Sequence, residues 1–243
     1  MGGLDPGGGA GVLRDFLTAV ELGAQATVIV TSITEQDSTS VTSVQPRAPS
    51  RVGRSLRAAL ARLPESGVKI GMVASAGIAR AIADALRGFG GPIVFDPVLR
   101  ASSGGLLYQG SREVVLDLAR QATVLTPNLA EAAWLLDRPV DSVAAAESAA
   151  RALVRLGVPA VLVKGGHLAG DATDVLMDSG GQSVFTSPRI AGPSPRGTGC
   201  ALGTAIAVGL GRGRTLESAV ASAKAWLTAK IASATKVGDE WHL

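Results

Sequence analysis

The sequence predicts an open α/β sheet covered by helices on both faces, a three-layer α/β/α arrangement with a mostly parallel central sheet. Three observations carry this. Short, β-branched apolar runs recur along the chain, as central strands buried on both faces require. Helical stretches with apolar residues three and four apart lie between them, many closed by Gly or Pro. Glycine clusters stand where helices should begin, and strand–helix alternation with such crossovers builds parallel sheets.

Taken in order, the chain opens on the glycine cluster GGLDPGGGAG (2–11) and a helix at 11–22. A doubly wound fold normally puts a strand ahead of such a loop. None is read here, so the first strand is missing or reduced to a stub, or the start is placed late. The run ATVIVTSI (26–33) reads as a strand and RVGRSLRAALARL (51–63) as a helix. VKIGM (68–72), PIVFD (92–96), ATVLT (122–126) and PAVLVK (159–164) read as further strands. Helices at 76–89, 112–120 and 144–157 separate them. After Lys164 the pattern changes: ATDVLMD (172–178) and QSVFTSP (182–188) flank Ser-Gly-Gly as an antiparallel edge hairpin. Helices at 198–211 and 215–234 finish the chain. With no internal repeat or low-complexity linker, residues 1–243 are expected to form one domain.

Composition removes several function classes. The 243 residues are 47% hydrophobic and 18% charged, enough to bury a sizeable core. Aromatics at 3% argue against a stacking platform for single-stranded nucleic acid. A net charge of +3 spread thinly over the chain provides no basic arm, so no nucleic-acid partner is expected. Apolar stretches such as CALGTAIAVGL stop short of the about 20 residues a spanning helix needs, so no membrane association is expected either. No signal-peptide pattern opens the chain, which reads as cytoplasmic. Cys200 as the sole cysteine excludes an intramolecular disulfide and a thiolate zinc cluster.

Four stretches can carry chemistry. GGLDPGGGAG lets backbone approach a ligand at a helix N-terminus, yet it also suits a flexible tail. In TPNLAEAAWLL (126–136), Asn128 and Glu131 fit a capping box, or face the strand-end opening as an amide and carboxylate for Mg²⁺ and nucleotide phosphate. In VLVKGGHLAG (161–170), Lys164 before Gly-Gly suits a phosphate, or is a surface lysine in a tight turn; His167 is read as loop structure. The most specific is PRGTGCALGTAIA (195–207). Amides of Gly197, Thr198 and Gly199 at the start of an apolar helix would form an anion hole. Cys200 is there either as a small hydrophobe or as a thiol whose pKa falls at the helix start and which can accept a proton.

Together GGLDPGGGAG, TEQDS, KIGM, FDPV, TPNLAEA, KGGH, DVL and GTGC resemble the hydroxymethylpyrimidine/phosphomethylpyrimidine kinases of thiamine biosynthesis, over nearly the whole chain. These are ribokinase-like enzymes, a superfamily that also holds pyridoxal kinases. The resemblance implies an ATP- and Mg²⁺-dependent kinase acting on a small-molecule pyrimidine, 4-amino-5-hydroxymethyl-2-methylpyrimidine, and a homodimer. It implies that Cys200 is the base beside the hydroxyl and that the Gly197–Cys200 amides stabilise the transferring phosphoryl group. Gly3, Asp15, Gln36 and Met72 would line the pyrimidine pocket, and Asp96, Asn128, Glu131 and Lys164 would serve ATP and Mg²⁺.

The chain departs from the family pattern at several points. Arg196 and Ala201 stand where a His and a Thr are usual. In LRASSGG, Ser102 and Gly105 replace the Lys and Asp of a segment that closes over substrate phosphate. Arg100 or Arg196 is the candidate replacement for the lost positive charge. QDS at 36–38 replaces QNT-like text. A pyridoxal-type vitamin kinase and a non-catalytic pyrimidine-binding homologue are the competing readings.

Overall fold

In the computed structural model, residues 1–36, 40–101, 104–166, 170–238 and 240–243 are described. Ser102, His167 and the Asp-Ser of QDS lie outside them. The order is β1 (Gly2–Leu4), α1 (Gly11–Glu21), β2 (Val30–Gln36), β3 (Val41–Pro46), α2 (Pro49–Arg62), β4 (Val68–Ile70), α3 (Ala76–Ala85), β5 (Ile93–Phe95) and α4 (Arg112–Ala119). Then follow β6 (Val124–Leu125), α5 (Leu129–Leu136), α6 (Val143–Arg155), β7 (Val161–Val163), β8 (Ala172–Asp178), β9 (Gly181–Ser187), α7 (Thr198–Gly211), α8 (Leu216–Ala232), β10 (Thr235–Val237) and β11 (Glu240–His242).

Strands β4 to β9 form one sheet in chain order. The pairs from β4 to β7 are parallel, while β8 and β9 add an antiparallel hairpin at the edge, as the Ser-Gly-Gly turn predicts. Alternation along each strand divides the core in two. Ile93 and Phe95 of β5 and Val161 and Val163 of β7 face α2 to α6. Val94, Val124 and Leu162 face α7 and α8. These strands therefore bury both faces, which is why their sequences are uninterrupted apolar runs.

The N-terminal third differs from expectation. Gly2 and Gly3 are themselves in a three-residue strand, so the glycine cluster does begin on a strand. β1 pairs parallel with β2, and β2 pairs antiparallel with β3, a strand the polar text VTSVQP does not advertise. The strand expected at 26–33 runs instead from Val30 to Gln36, because its ladder to β1 begins at Gly2↔Val30. The Gly71 N–H donates to Met1 O at 2.8 Å and joins this ladder to the end of β4. The sequence pattern does not announce the β10–β11 hairpin, which shortens the expected last helix to Ala232. Among the described residues no helix is long and apolar enough to cross a membrane.

Candidate active site

Parallel strands deliver their next residues to one edge of the sheet, where α/β proteins place ligands. Met72 follows β4, Asp96 follows β5, Asn128 follows β6 and Lys164 follows β7. They line one cavity of about 410 Å³ with the other residues expected to bind or react: Gly3, Asp15, Gln36, Glu131, Gly197, Thr198, Gly199 and Cys200.

The glycine loop and the loop before α7 are packed against each other. Gly11 (φ 62°) and Gly197 (φ 74°) adopt left-handed backbone, and a Cβ at either would overlap the carbonyl oxygen of Gly3 or Gly9 respectively. Asp5 fastens the first loop, accepting from Gly7 N–H and Ala10 N–H at 3.1 Å each. These contacts replace the flexible-tail account of GGLDPGGGAG with an ordered loop. Gly3 lies against Met72, where a Cβ would come within 2.6 Å of Sδ. Gln36 donates from Nε2 to Thr34 Oγ1 (3.0 Å) and accepts at Oε1 from Arg196 Nη2 (3.1 Å).

A chain of alternating charges runs beneath. Asp15 Oδ1 accepts from Lys69 Nζ (2.7 Å) and Thr204 Oγ1 (2.9 Å). Lys69 Nζ lies 4.0 Å from Asp96 Oδ2, and Asp96 Oδ1 accepts from Lys164 Nζ at 2.5 Å. Burial disfavours the charges on Lys69, Asp96 and Lys164, but their partners outweigh it. Asp96 is held below the usual carboxylate range by Lys164 and Lys69, and both lysines are held above theirs by the neighbouring carboxylates. Lys164 is thus a buried, paired cation and not a turn lysine. Its backbone N–H also donates to Pro127 O at 2.8 Å, which locks the β6 and β7 exits together.

Asn128 and Glu131 form the full reciprocal cap: Glu131 N–H donates to Asn128 Oδ1 at 2.9 Å and Asn128 N–H to Glu131 Oε2 at 2.8 Å. Both readings of this pair therefore survive, since the cap itself faces the cavity. Burial, opposed by Lys164, pushes the Glu131 carboxyl up to about 7. Among the described residues no cluster of three or more His, Cys, Asp or Glu could hold a metal by itself. One carboxylate and one amide suit a cation that keeps most of its water.

Cys200 departs from expectation. Its thiol pKa does not fall at the start of α7; burial pushes it up to about 11, against the opposing charge of Lys69. A helix terminus supplies about 1 kcal/mol, and here desolvation, with Asp15 and Asp96 adding negative charge, exceeds it.

Lys69, Asp174 and Lys224 also line the cavity, beyond the residues expected from sequence. Lys69 has a sequence signal, a lysine inside a strand buried at every position. Asp174 Oδ1 accepts from Gly165 N–H at 3.0 Å and its Oδ2 from Lys224 Nζ at 2.6 Å, so a buried ion pair from β8 and α8 holds the turn after Lys164. No local pattern marks that pair, because its members are fifty residues apart.

The family model described as phosphomethylpyrimidine kinase matches residues 5–242. A hydroxymethylpyrimidine/phosphomethylpyrimidine kinase of Rhizobium meliloti is 41% identical over 242 residues, 98% of this chain and 91% of the relative. The Escherichia coli enzyme of that name is 36% identical over 239 residues, 96% and 90% of the two chains. A phosphomethylpyrimidine kinase crystal structure from Clostridium difficile superposes with TM-score 0.82 at 30% identity, covering 95% of this chain and 96% of the other. The Staphylococcus aureus pyridoxal kinase in complex with ADP gives 0.89 at 27% identity, covering 99% and 90%. The fold is the ribokinase-like one, and the chain belongs to the phosphomethylpyrimidine kinase family.

Proposed function

We propose that this member of the phosphomethylpyrimidine kinase family transfers the γ-phosphoryl group of ATP to the hydroxymethyl oxygen of 4-amino-5-hydroxymethyl-2-methylpyrimidine, and then to the monophosphate so formed, in thiamine biosynthesis. The observation that carries the reading is the run of residues 196–199 across one cavity. Arg196 touches Asp5 and Gln36 on one side. A Cβ at Gly199 would lie 3.4 Å from Lys164 Nζ on the other. An acceptor held beside Gln36 and Met72 and a nucleotide phosphate beside Lys164 would thus both face the amides of Gly197 to Cys200.

Phosphoryl transfer asks chiefly for positioning and charge stabilisation. Gly3, Asp15, Gln36 and Met72 would enclose the pyrimidine, with the Gln36 amide offering both a donor and an acceptor to the amino and ring-nitrogen edge. The amides at the start of α7 would receive charge on the transferring group. Lys164, kept protonated and aimed by Asp96, would meet the nucleotide phosphates. Glu131 and Asn128 would meet the hydration shell of a Mg²⁺ carried with the nucleotide, which would supply charge neutralisation for the phosphates. Leu227, Thr228 and Ile231 of α8 line the same cavity and would form the wall for the nucleotide base. Cys200 Sγ would take the hydroxyl proton. With a pKa of about 11 it is ionised in about one molecule in 10⁴ at pH 7, so the proton would move as the new P–O bond forms.

A homodimer belongs to the same proposal. Leu13, Phe16, Leu17 and Val20 form an exposed apolar stripe along α1, at the spacing of one helical face. Sedimentation of Leu17→Lys beside the parent chain would read this, with an unchanged dimer removing α1 from the interface. A cytoplasmic location fits a small-molecule kinase with one free thiol.

The test is a mass-resolved product assay with MgATP and the hydroxymethylpyrimidine, run beside pyridoxal. Monophosphate followed by diphosphate is expected. Preferential turnover of pyridoxal would transfer the reading to a vitamin kinase, and absence of any product would overturn it.

A further inference from the structure

Arg196 carries a cation that the site leaves partly unspent. Its side chain is 18% exposed, and it precedes Gly197 at the start of the amide loop. Nη2 alone is engaged, donating to Asp5 Oδ2 at 3.3 Å and to Gln36 Oε1 at 3.1 Å. Nη1 rests against Gly9, where a Cβ would lie 3.5 Å away. Among the described residues neither Nη1 nor Nε has an acceptor. Asp5 balances the charge of Arg196, but it engages Nη2 alone and at 3.3 Å, which leaves the Nη1 and Nε donors for a further acceptor. A mostly buried guanidinium with unmet donors, lining the cavity beside an anion hole, is built for a bidentate oxyanion. Arg100 is the weaker candidate, because it is exposed and its Nη1 is turned to Gly104 O at 3.1 Å. Lys164 is already paired with Asp96.

We propose that Arg196 receives the phosphate of a phosphomonoester acceptor, so that this residue makes the second phosphorylation possible here. The inference rests on the kinase reading above and names the group that binds the substrate of its second step. In that step an unprotonated oxygen of the acceptor's phosphate attacks Pγ of ATP. The bond from Pγ to the β,γ-bridging oxygen breaks, and its electron pair leaves with ADP. A P–O–P linkage forms, and no proton need be removed, since a phosphomonoester is largely dianionic above about pH 6. Arg196 would hold the other acceptor oxygens, offset repulsion between two phosphates, and keep Gln36 oriented through Nη2.

The experiment measures both half-reactions separately, with the alcohol and with its monophosphate, for the parent chain, Arg196→Gln and Arg196→Lys. Gln retains a donor toward Asp5 and Gln36 without the charge. Both steps should slow, but kcat/KM for the monophosphate should fall at least about tenfold further than for the alcohol in Arg196→Gln, the worth of a charge-assisted hydrogen bond. Lys should recover part of that difference. Calorimetry with the monophosphate alone should show affinity that falls with added salt for the parent and is nearly flat for Arg196→Gln. An equal loss in both steps would reduce Arg196 to a structural support of Gln36 and overturn the proposal. So would a parent chain that phosphorylates the alcohol and not the monophosphate. A parent chain that phosphorylates neither overturns the kinase reading itself, a separate result.

Discussion

Around Asp96 the buried charges meet one another: Asp15 with Lys69, Lys69 with Asp96, Asp96 with Lys164, and further along the edge Asp174 with Lys224. Around Gln36 backbone amides and neutral side chains surround one ion pair, Asp5 with Arg196, whose guanidinium keeps donors open. Paired charges on the first side cost desolvation to bury and hold each other in place. Open donors on the second side are where ligand charge can still be received. The two sides should therefore fail differently, the first by losing its fold and the second by losing its choice of acceptor.

The largest effect is expected at Asp96. Asp96→Asn leaves Lys164 and Lys69 facing each other without the carboxylate between, and breaking such a buried pair costs about 3–5 kcal/mol. A thermal melt should show this, together with near-complete loss of transfer. Adding Lys164→Met should recover stability but no activity. If Asp96→Asn melted like the parent, the charge chain would not be structural.

Next comes Cys200→Ala. The first phosphorylation should drop by about 10²–10⁴, the range for a lost general base. The second, whose attacking oxygen carries no proton, should drop by much less. This is the mirror image of Arg196→Gln, and equal losses in the two steps would remove Cys200 from the base role.

Glu131→Gln keeps a side-chain oxygen for the cap but loses the carboxylate. About a tenfold rise in the Mg²⁺ concentration needed for half-maximal rate is expected, in line with the loss of one ligand-shell contact. An unchanged requirement would leave Glu131 as a helix cap only.

The smallest effect concerns pH. Since burial raises the thiol to about 11, alkylation of Cys200 should keep accelerating about tenfold per pH unit up to pH 10. The sign follows from the thiolate being the nucleophile and the raised pKa moving its formation upward. A plateau near pH 8.5 would mean a thiol at its ordinary value and would restore the helix-start argument. Cys200 is the chain's lone cysteine, so the measurement, read as alkylated Cys200 by peptide mass, has no competing thiol.

Much of this was legible in the chain. The β8–β9 hairpin announced itself through Ser-Gly-Gly between alternating runs, and β4 to β7 through apolar runs of strand length. The twelve residues that the family resemblance singles out line one cavity. Elements that draw on distant partners were harder to see. β3 is half-exposed and polar, and it is a strand because β2 lies beside it. Among the described residues β10 and β11 pair only with each other, at the end of a helical pattern.

The sequence by itself determined the alternation of strand and helix, the loops at the strand ends and the chemical types available there, because side-chain period and turn residues act over a few positions. Tertiary structure alone decided which charges cancel. It brought Lys69 to Asp15 and Asp174 to Lys224, spent one nitrogen of Arg196 on Asp5 and Gln36, and pushed the Cys200 thiol upward where local position argued for a fall. Coulombic energy and desolvation depend on distance and burial, and neither can be read from spacing along the chain.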